Sequence, residues 1–166
     1  MTAAPSRRAW GAFALAALVV VLDQMIKRWV LDGEHLIAGA SLPIWGPLRF
    51  TLVANNGVSF GFFQSQAPWT RWTLAAFSLA VTIGLAVWAQ RSERWYTALT
   101  LGLIMGGAVG NLIDRVTRGA VVDFVDVQAL HFPWIFNLAD SAISVGVALL
   151  LIESLFAPTV PRNAKA

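Results

Sequence analysis

The stretch Gly110–Ser141, GNLIDRVTRGAVVDFVDVQALHFPWIFNLADS, joins the end of one strongly apolar segment to the start of another. It carries four of the chain's nine acidic residues, Asp114, Asp123, Asp126 and Asp140. Carboxylates gathered where two apolar helices leave a bilayer are costly to keep, and they mark a functional region unless another account is found. Whether the flanking segments cross a membrane therefore decides both the fold and the reading of these acids.

Composition answers that first. Hydrophobic residues make up 57% of the 166 positions and charged residues 13%, against roughly 25% charged in a soluble domain. The length predicts a single domain over residues 1–166. There is no cysteine, which excludes disulfides, thiolate chemistry and a lipid carried on the chain's own cysteine. The net charge of +3 comes from basic residues scattered among apolar spans, so a membrane fits this chain and nucleic acid does not.

Four segments reach the roughly 20 apolar residues that a transmembrane helix needs. They run at about 10–31, 68–89, 95–114 and 138–156, with Trp10, Trp29, Trp69, Trp88, Trp95 and Trp134 near their ends as an interfacial belt. Arg7 and Arg8 ahead of the first run imitate a signal peptide, but the run is too long and holds Asp23 and Lys27 near its far end. It is expected to be a retained helix. Four spans place both termini on one side. Basic residues tie at six per side, with Arg7, Arg8, Arg91, Arg94, Arg162 and Lys165 against Lys27, Arg28, Arg49, Arg71, Arg115 and Arg118. Discounting Lys27 and Arg115, which sit beside acidic partners, predicts cytoplasmic termini and an outer face that carries Gly110–Ser141.

The first outer connection has its own structure. Leu48–Leu52 alternates as a half-buried strand does, and Asn55-Asn56-Gly57 signals a turn before Val58-Ser59-Phe60. A small sheet at about residues 40–63 is predicted on the membrane surface, and Val121–Val127 has the composition to join it. The expected fold is thus an all-α membrane bundle of four transmembrane helices with a small extracytoplasmic β-sheet cradle. In the third span Gly102, Gly106 and Gly110 form a ridge that admits a neighbouring helix closely.

Each polar candidate has two readings. Asp123 within Val121–Val125 is either a solvated loop residue or a reactive carboxylate. Asn137 and Asp140, three apart at the start of the last span, form either a helix capping box or part of a site. Asp23 and Lys27 at i and i+4 are explained by an ion pair. Asp114 and Arg115 anchor loops, and Asn55, Asn111 and Asn137 are able to orient a carboxylate or serve as turns and caps. The short return from Asp123 to Asp140 is compatible with both carboxylates meeting at the membrane surface. Two carboxylates in one site do not both ionise cheaply, so one holds a proton while the other acts as base. That division suits water activation and protonation of a leaving amine. The macrodipole at the last helix's first turn favours Asp140 as the ionised partner. His35 and His131 are isolated, and the chain has no HExxH, GxSxG or phosphate-binding loop. A proton-coupled transporter is disfavoured because the acids cluster at one surface and no inverted repeat is visible. A non-enzymatic assembly subunit, with the acids serving only as pairs and caps, remains a rival.

Five blocks, Asp23-Gln24-Met25-Ile26-Lys27, Asn55–Phe60, Gly110–Arg115, Val121–Phe124 and Phe136–Ser141, together resemble the lipoprotein signal peptidases (signal peptidase II) in order and spacing. The resemblance implies that Asp123 and Asp140 are a catalytic dyad. It further implies that Asp23, Asn55, Asn111, Arg115, Asn137 and Ala139 line or brace the site, with Lys27, Gly57, Gly110 and Asp114 in the same supporting blocks. It implies a monomeric inner-membrane aspartyl endopeptidase without metal or organic cofactor. The implied partners are membrane lipid and lipid-modified prolipoprotein signal peptides, cut on the amino side of the diacylglyceryl cysteine.

Overall fold

The computed structural model describes residues 5–32, 41–57 and 68–156. The chain order is α1 (Arg7–Asp32), β1 (Ser41–Trp45), β2 (Leu48–Asn55), α2 (Pro68–Arg91), α3 (Trp95–Thr117), β3 (Val121–Asp126), β4 (Ile135–Phe136) and α4 (Leu138–Phe156), with a short 3-10 turn at Gln128–Leu130. The four helices are long and apolar enough to cross a membrane. Val58-Ser59-Phe60 and the positions of Arg162 and Lys165 lie outside the described residues.

The bundle is organised around α3. In its most apolar window 61% of residues are buried, compared with 22%, 11% and 17% in α1, α2 and α4. The glycine ridge makes this possible. A Cβ on Gly102 would stand 2.6 Å from the Ala12 carbonyl, and one on Gly106 2.6 Å from the Val19 Cβ, so α1 lies directly against the ridge. Gly107, on a neighbouring face, meets the Ala139 carbonyl of α4 in the same way. Van der Waals packing through small residues, with no hydrophobic drive between helices in lipid, is how such bundles cohere. The outward faces carry the large side chains instead: Trp10, Trp29, Trp69, Phe77, Leu151 and Phe156 are all exposed.

The third helix runs beyond Asp114 to Thr117 before it stops. The amides of Arg118 and Gly119 both return to the Asp114 carbonyl, at 2.7 and 3.1 Å. Gly119 then takes φ +87, a left-handed conformation that side chains resist, and turns the chain into β3. The sheet is antiparallel in the order β1-β2-β3-β4. Half of its strands therefore come from the α3–α4 connection, and residues 41–55 supply only β1 and β2. Val121–Asp126 is buried at nearly every position, which an alternating pattern would not have indicated. Phe50 stacks edge-on against Phe124 at 5.6 Å and against Trp29 of α1 at 6.2 Å, seating the sheet over the end of the first helix.

Candidate active site

Two hydrogen-bonded clusters lie where α1, α3, β3 and α4 meet. The deeper one is centred on Lys27, whose side chain is fully buried. Its ammonium lies 2.9 Å from Asp23 Oδ2, 2.8 Å from Asp114 Oδ2 and 3.1 Å from Asn111 Oδ1. A single cation between two carboxylates leaves one negative charge, and the remaining lone pairs are met by donors from three elements. Asp23 Oδ1 accepts the Ala139 amide at 3.0 Å, satisfying an N–H at the start of α4 that has no partner within its helix. Asp114 Oδ2 accepts the Val122 amide at 3.2 Å, and Arg118 pairs with Asp114 Oδ1. Gln24, unassigned in the sequence reading, donates to Asp23, Asp114 and the Gly110 carbonyl and accepts from Arg118. Its signal was available: an amide inside an apolar span needs a partner there. The expected Asp23–Lys27 pair is thus present, but it is one side of a frame that locks α1, α3, β3 and α4.

The second cluster holds Asp123 and Asp140. Asn137, also fully buried, donates to Asp123 Oδ1 at 2.6 Å and to Asn111 Oδ1 at 3.2 Å. Its own Oδ1 caps α4 by accepting the Asp140 amide at 2.9 Å, while Asp140 Oδ2 accepts the Asn137 amide at 3.4 Å. This is the reciprocal capping box. The bland reading of Asn137 and Asp140 is therefore realised, and the same Asn137 that caps Asp140 also bonds Asp123. Asn111 joins the clusters, since its Oδ1 faces Lys27 and its Nδ2 donates to Asp140 Oδ1 at 2.8 Å.

Asn55 donates to Asp123 Oδ2 at 2.8 Å. The register explains how: Asn55 pairs with Val121 and Val53 with Asp123, so Asn55 and Asp123 share a face as diagonal neighbours. The Asn55 Oδ1 in turn accepts the Gly57 amide at 3.0 Å, and Arg115 donates to the Gly57 carbonyl at 3.1 Å. Gly57 is thereby held from both sides. Gly110 lies against Asp23, with space for no side chain: a Cβ there would stand 2.7 Å from Asp23 Oδ2. Every residue named from the sequence, namely Asp23, Lys27, Asn55, Gly57, Gly110, Asn111, Asp114, Arg115, Asp123, Asn137, Ala139 and Asp140, falls in one of the two clusters or against it. Asp126 belongs to neither; Thr51 and the Gln128 amide satisfy its two oxygens.

Asp123 is 2% exposed. Burial raises its carboxyl from the ordinary 3.8 to about 7, and the charge of Asp140 pushes in the same direction, against the opposing hydrogen bonds from Asn55 and Asn137. Asp140 is only half-buried and borders a cavity of about 360 Å³ lined by Phe132, Ile135, Phe136 and Ile143. The site thus combines one sequestered carboxyl, one more accessible carboxyl and an adjoining apolar chamber. Among the described residues no group of three or more His, Cys, Asp or Glu is placed to hold a metal ion.

Comparison with known proteins agrees over nearly the whole chain. The model of the family described as signal peptidase (SPase) II matches residues 15–156. A lipoprotein signal peptidase of Caulobacter vibrioides is 55% identical over 150 residues, spanning 90% of this chain and 89% of that protein. One of Methylorubrum extorquens is 44% identical, spanning 92% and 90%. Two solved bacterial membrane enzymes superpose with TM-scores of 0.78 and 0.73 at 26% and 29% identity. The first match covers 93% of both chains, and the second 89% of this chain and 94% of the other.

Proposed function

The chain belongs to the signal peptidase II family and is a membrane peptidase, and from that premise we propose that Asp123 and Asp140 form its catalytic dyad. The observation that carries this reading is the bridging of both carboxylates by Asn137, which bonds Asp123 through its side chain and Asp140 through the capping box. Asp140, at the first turn of α4 where the macrodipole favours negative charge, takes a proton from water. The hydroxyl oxygen adds to the scissile carbonyl carbon. Asp123, protonated near neutrality, donates to the carbonyl oxygen as the tetrahedral intermediate forms. Collapse breaks the C–N bond: the leaving amine receives the proton that Asp140 took, and a hydroxyl of the intermediate returns a proton to Asp123 as the new carboxylic acid forms, which restores the dyad.

The substrate is a diacylglyceryl-modified prolipoprotein, cut on the amino side of the lipidated cysteine. At about 0.8 kcal/mol per buried CH₂, lifting two long acyl chains out of lipid costs on the order of 20 kcal/mol. The enzyme meets its substrate in the bilayer for that reason, and the apolar cavity beside Asp140 suits a scissile bond flanked by apolar groups. The protein acts as a single monomeric unit in the inner membrane, termini in the cytoplasm and dyad at the outer face, with no cofactor.

Purified protein incubated with a diacylglyceryl-modified precursor should release the signal peptide, read by mass. Asp123→Asn and Asp140→Asn should each lower turnover by at least roughly 10²- to 10⁴-fold, the usual contribution of general acid–base catalysis. Substantial turnover by either variant, in protein with wild-type helicity, removes the dyad.

A further inference from the structure

A second cavity, with charged side chains at its rim, lies at the opposite end of the bundle from Asp123 and Asp140. It occupies about 560 Å³ between the α2–α3 turn and the last turns of α4, within the roughly 300–1,000 Å³ of small-molecule sites. Its lining includes Trp88, Arg91, Arg94, Thr97, Leu150 and Glu153. Glu153 is unusual there. Its Oε1 accepts from Thr97 at 2.7 Å and faces Arg94 at 3.5 Å. Its Oε2 is buried and has no hydrogen-bond partner among the described residues. A buried acceptor left without a donor is unfavourable, and more so when charged.

The surroundings say what chemistry completes it. The cavity sits at the ends of three membrane-capable helices, beside the exposed indoles Trp88 and Trp95, a residue type enriched where membrane meets water. The lining carries two guanidinium groups, Arg91 and Arg94, and two carboxylates, Glu93 and Glu153. This balanced set matches a zwitterion, whose phosphate goes to the cations and whose amine goes to the acid with the unpartnered oxygen, Glu153. Leu151, which also lines the cavity, is 60% exposed and offers an apolar contact for an acyl chain. We propose that this cavity binds the headgroup of a primary-amine phospholipid. Glu153 Oε2 accepts from the ammonium, and Arg91 and Arg94 supply the positive charge for the phosphate.

The test separates hydrogen bonding from charge. Full-length protein in detergent is exposed to equal amounts of phosphatidylethanolamine, phosphatidylcholine and phosphatidylglycerol with identical acyl chains, and the retained lipid is read by native mass spectrometry. Phosphatidylcholine carries the same charges as phosphatidylethanolamine but no N–H. The wild type should retain phosphatidylethanolamine about tenfold over phosphatidylcholine, the scale of one charge-assisted hydrogen bond. Glu153→Gln should bring that preference to about twofold or less, and Arg91→Gln should weaken retention of all three lipids. Unchanged precursor cleavage by both variants reports an intact fold. Equal retention of the two zwitterionic lipids by the wild type, preference for phosphatidylglycerol, or a Glu153→Gln variant that keeps the wild-type ranking each overturns the proposal.

Discussion

Asn137 Nδ2 stands 2.6 Å from Asp123 Oδ1, the shortest of the side-chain contacts that residue makes, while the same amide group caps the helix that carries Asp140. Removing it loosens both carboxylates together. Asn137→Ala should cost about 1 kcal/mol for the lost cap, plus about 1–3 kcal/mol for the buried acceptors it abandons. Turnover should fall by about 10²-fold, the penalty for misplacing a reactive group by an ångström. Thermal unfolding in detergent and precursor cleavage measure the two separately. A variant with lowered stability and unaltered turnover would refute the positioning role.

Protonation of Asp123 gives two pH signatures. Cleavage should decline as pH rises through about 7, where this buried carboxyl loses the proton it donates. Stability should move the same way. Between the ordinary 3.8 and about 7 the folded chain holds a proton that the unfolded chain releases. The resulting stabilisation is therefore fully present below 3.8 and lost as pH rises through about 7, a span worth about 4 kcal/mol. Asp123→Asn abolishes the titration, so its melting temperature relative to wild type should be higher at pH 8 than at pH 5. A constant difference across that range would contradict the buried protonated state.

Lys27 is the cation shared by two carboxylates that water does not reach. Lys27→Met leaves Asp23 and Asp114 facing each other, and the loss should be about 3–5 kcal/mol, the scale for breaking a buried pair by removing one partner. Adding Asp114→Asn should recover part of it. Unfolding midpoints of the single and double variants decide the matter, and a double variant less stable than Lys27→Met would refute it.

Gly107 packs against the Ala139 carbonyl, immediately before Asp140. Gly107→Ala drives a methyl group into backbone and into Ile143, at a cost of about 1–3 kcal/mol. The displacement falls on the turn that bears Asp140, so kcat should drop more than KM rises. Gly84→Ala is the control: nothing lies within 4 Å of its added Cβ, and stability should stay within about 0.5 kcal/mol of wild type. Kinetics alongside unfolding midpoints for the two variants make the comparison.

The four helices were legible because each is a long apolar run with aromatic ends, and a bilayer enforces helix on any such run. A close helix contact on α3 was legible in Gly102, Gly106 and Gly110, though not that α1 is the partner, and the α4 cap was legible in Asn137 and Asp140. Convergence was harder to read. The Asp23–Lys27 spacing accounts for itself within one helix, so nothing local announces that Asp114, 87 positions beyond Lys27, shares the same cation. Gln24 carries no local signal of which partners it takes, because Gly110, Asp114 and Arg118, three of them, lie far along the chain. The two-residue strand Ile135–Phe136 is too short to carry a period, and only its pairing with Val125 and Asp126 defines it. Strand register likewise set Asn55 beside Asp123, a relation fixed by the α3–β3 turn as much as by either strand.

The bond from Asp23 to the Ala139 amide spans 116 positions and ties the earliest helix to the latest. Synthesis on the ribosome delivers these partners in that order, with Lys27 and Asp23 embedded long before α4 emerges. Until α4 docks, its first turn has no acceptor from α1, Asn111 has no Asp140 to bind, and Asp123 lacks Asn137. On the proposed assignment the hydrolytic apparatus comes together as a final step of biogenesis, and a partly translated chain sits in the bilayer without the means to cut its neighbours.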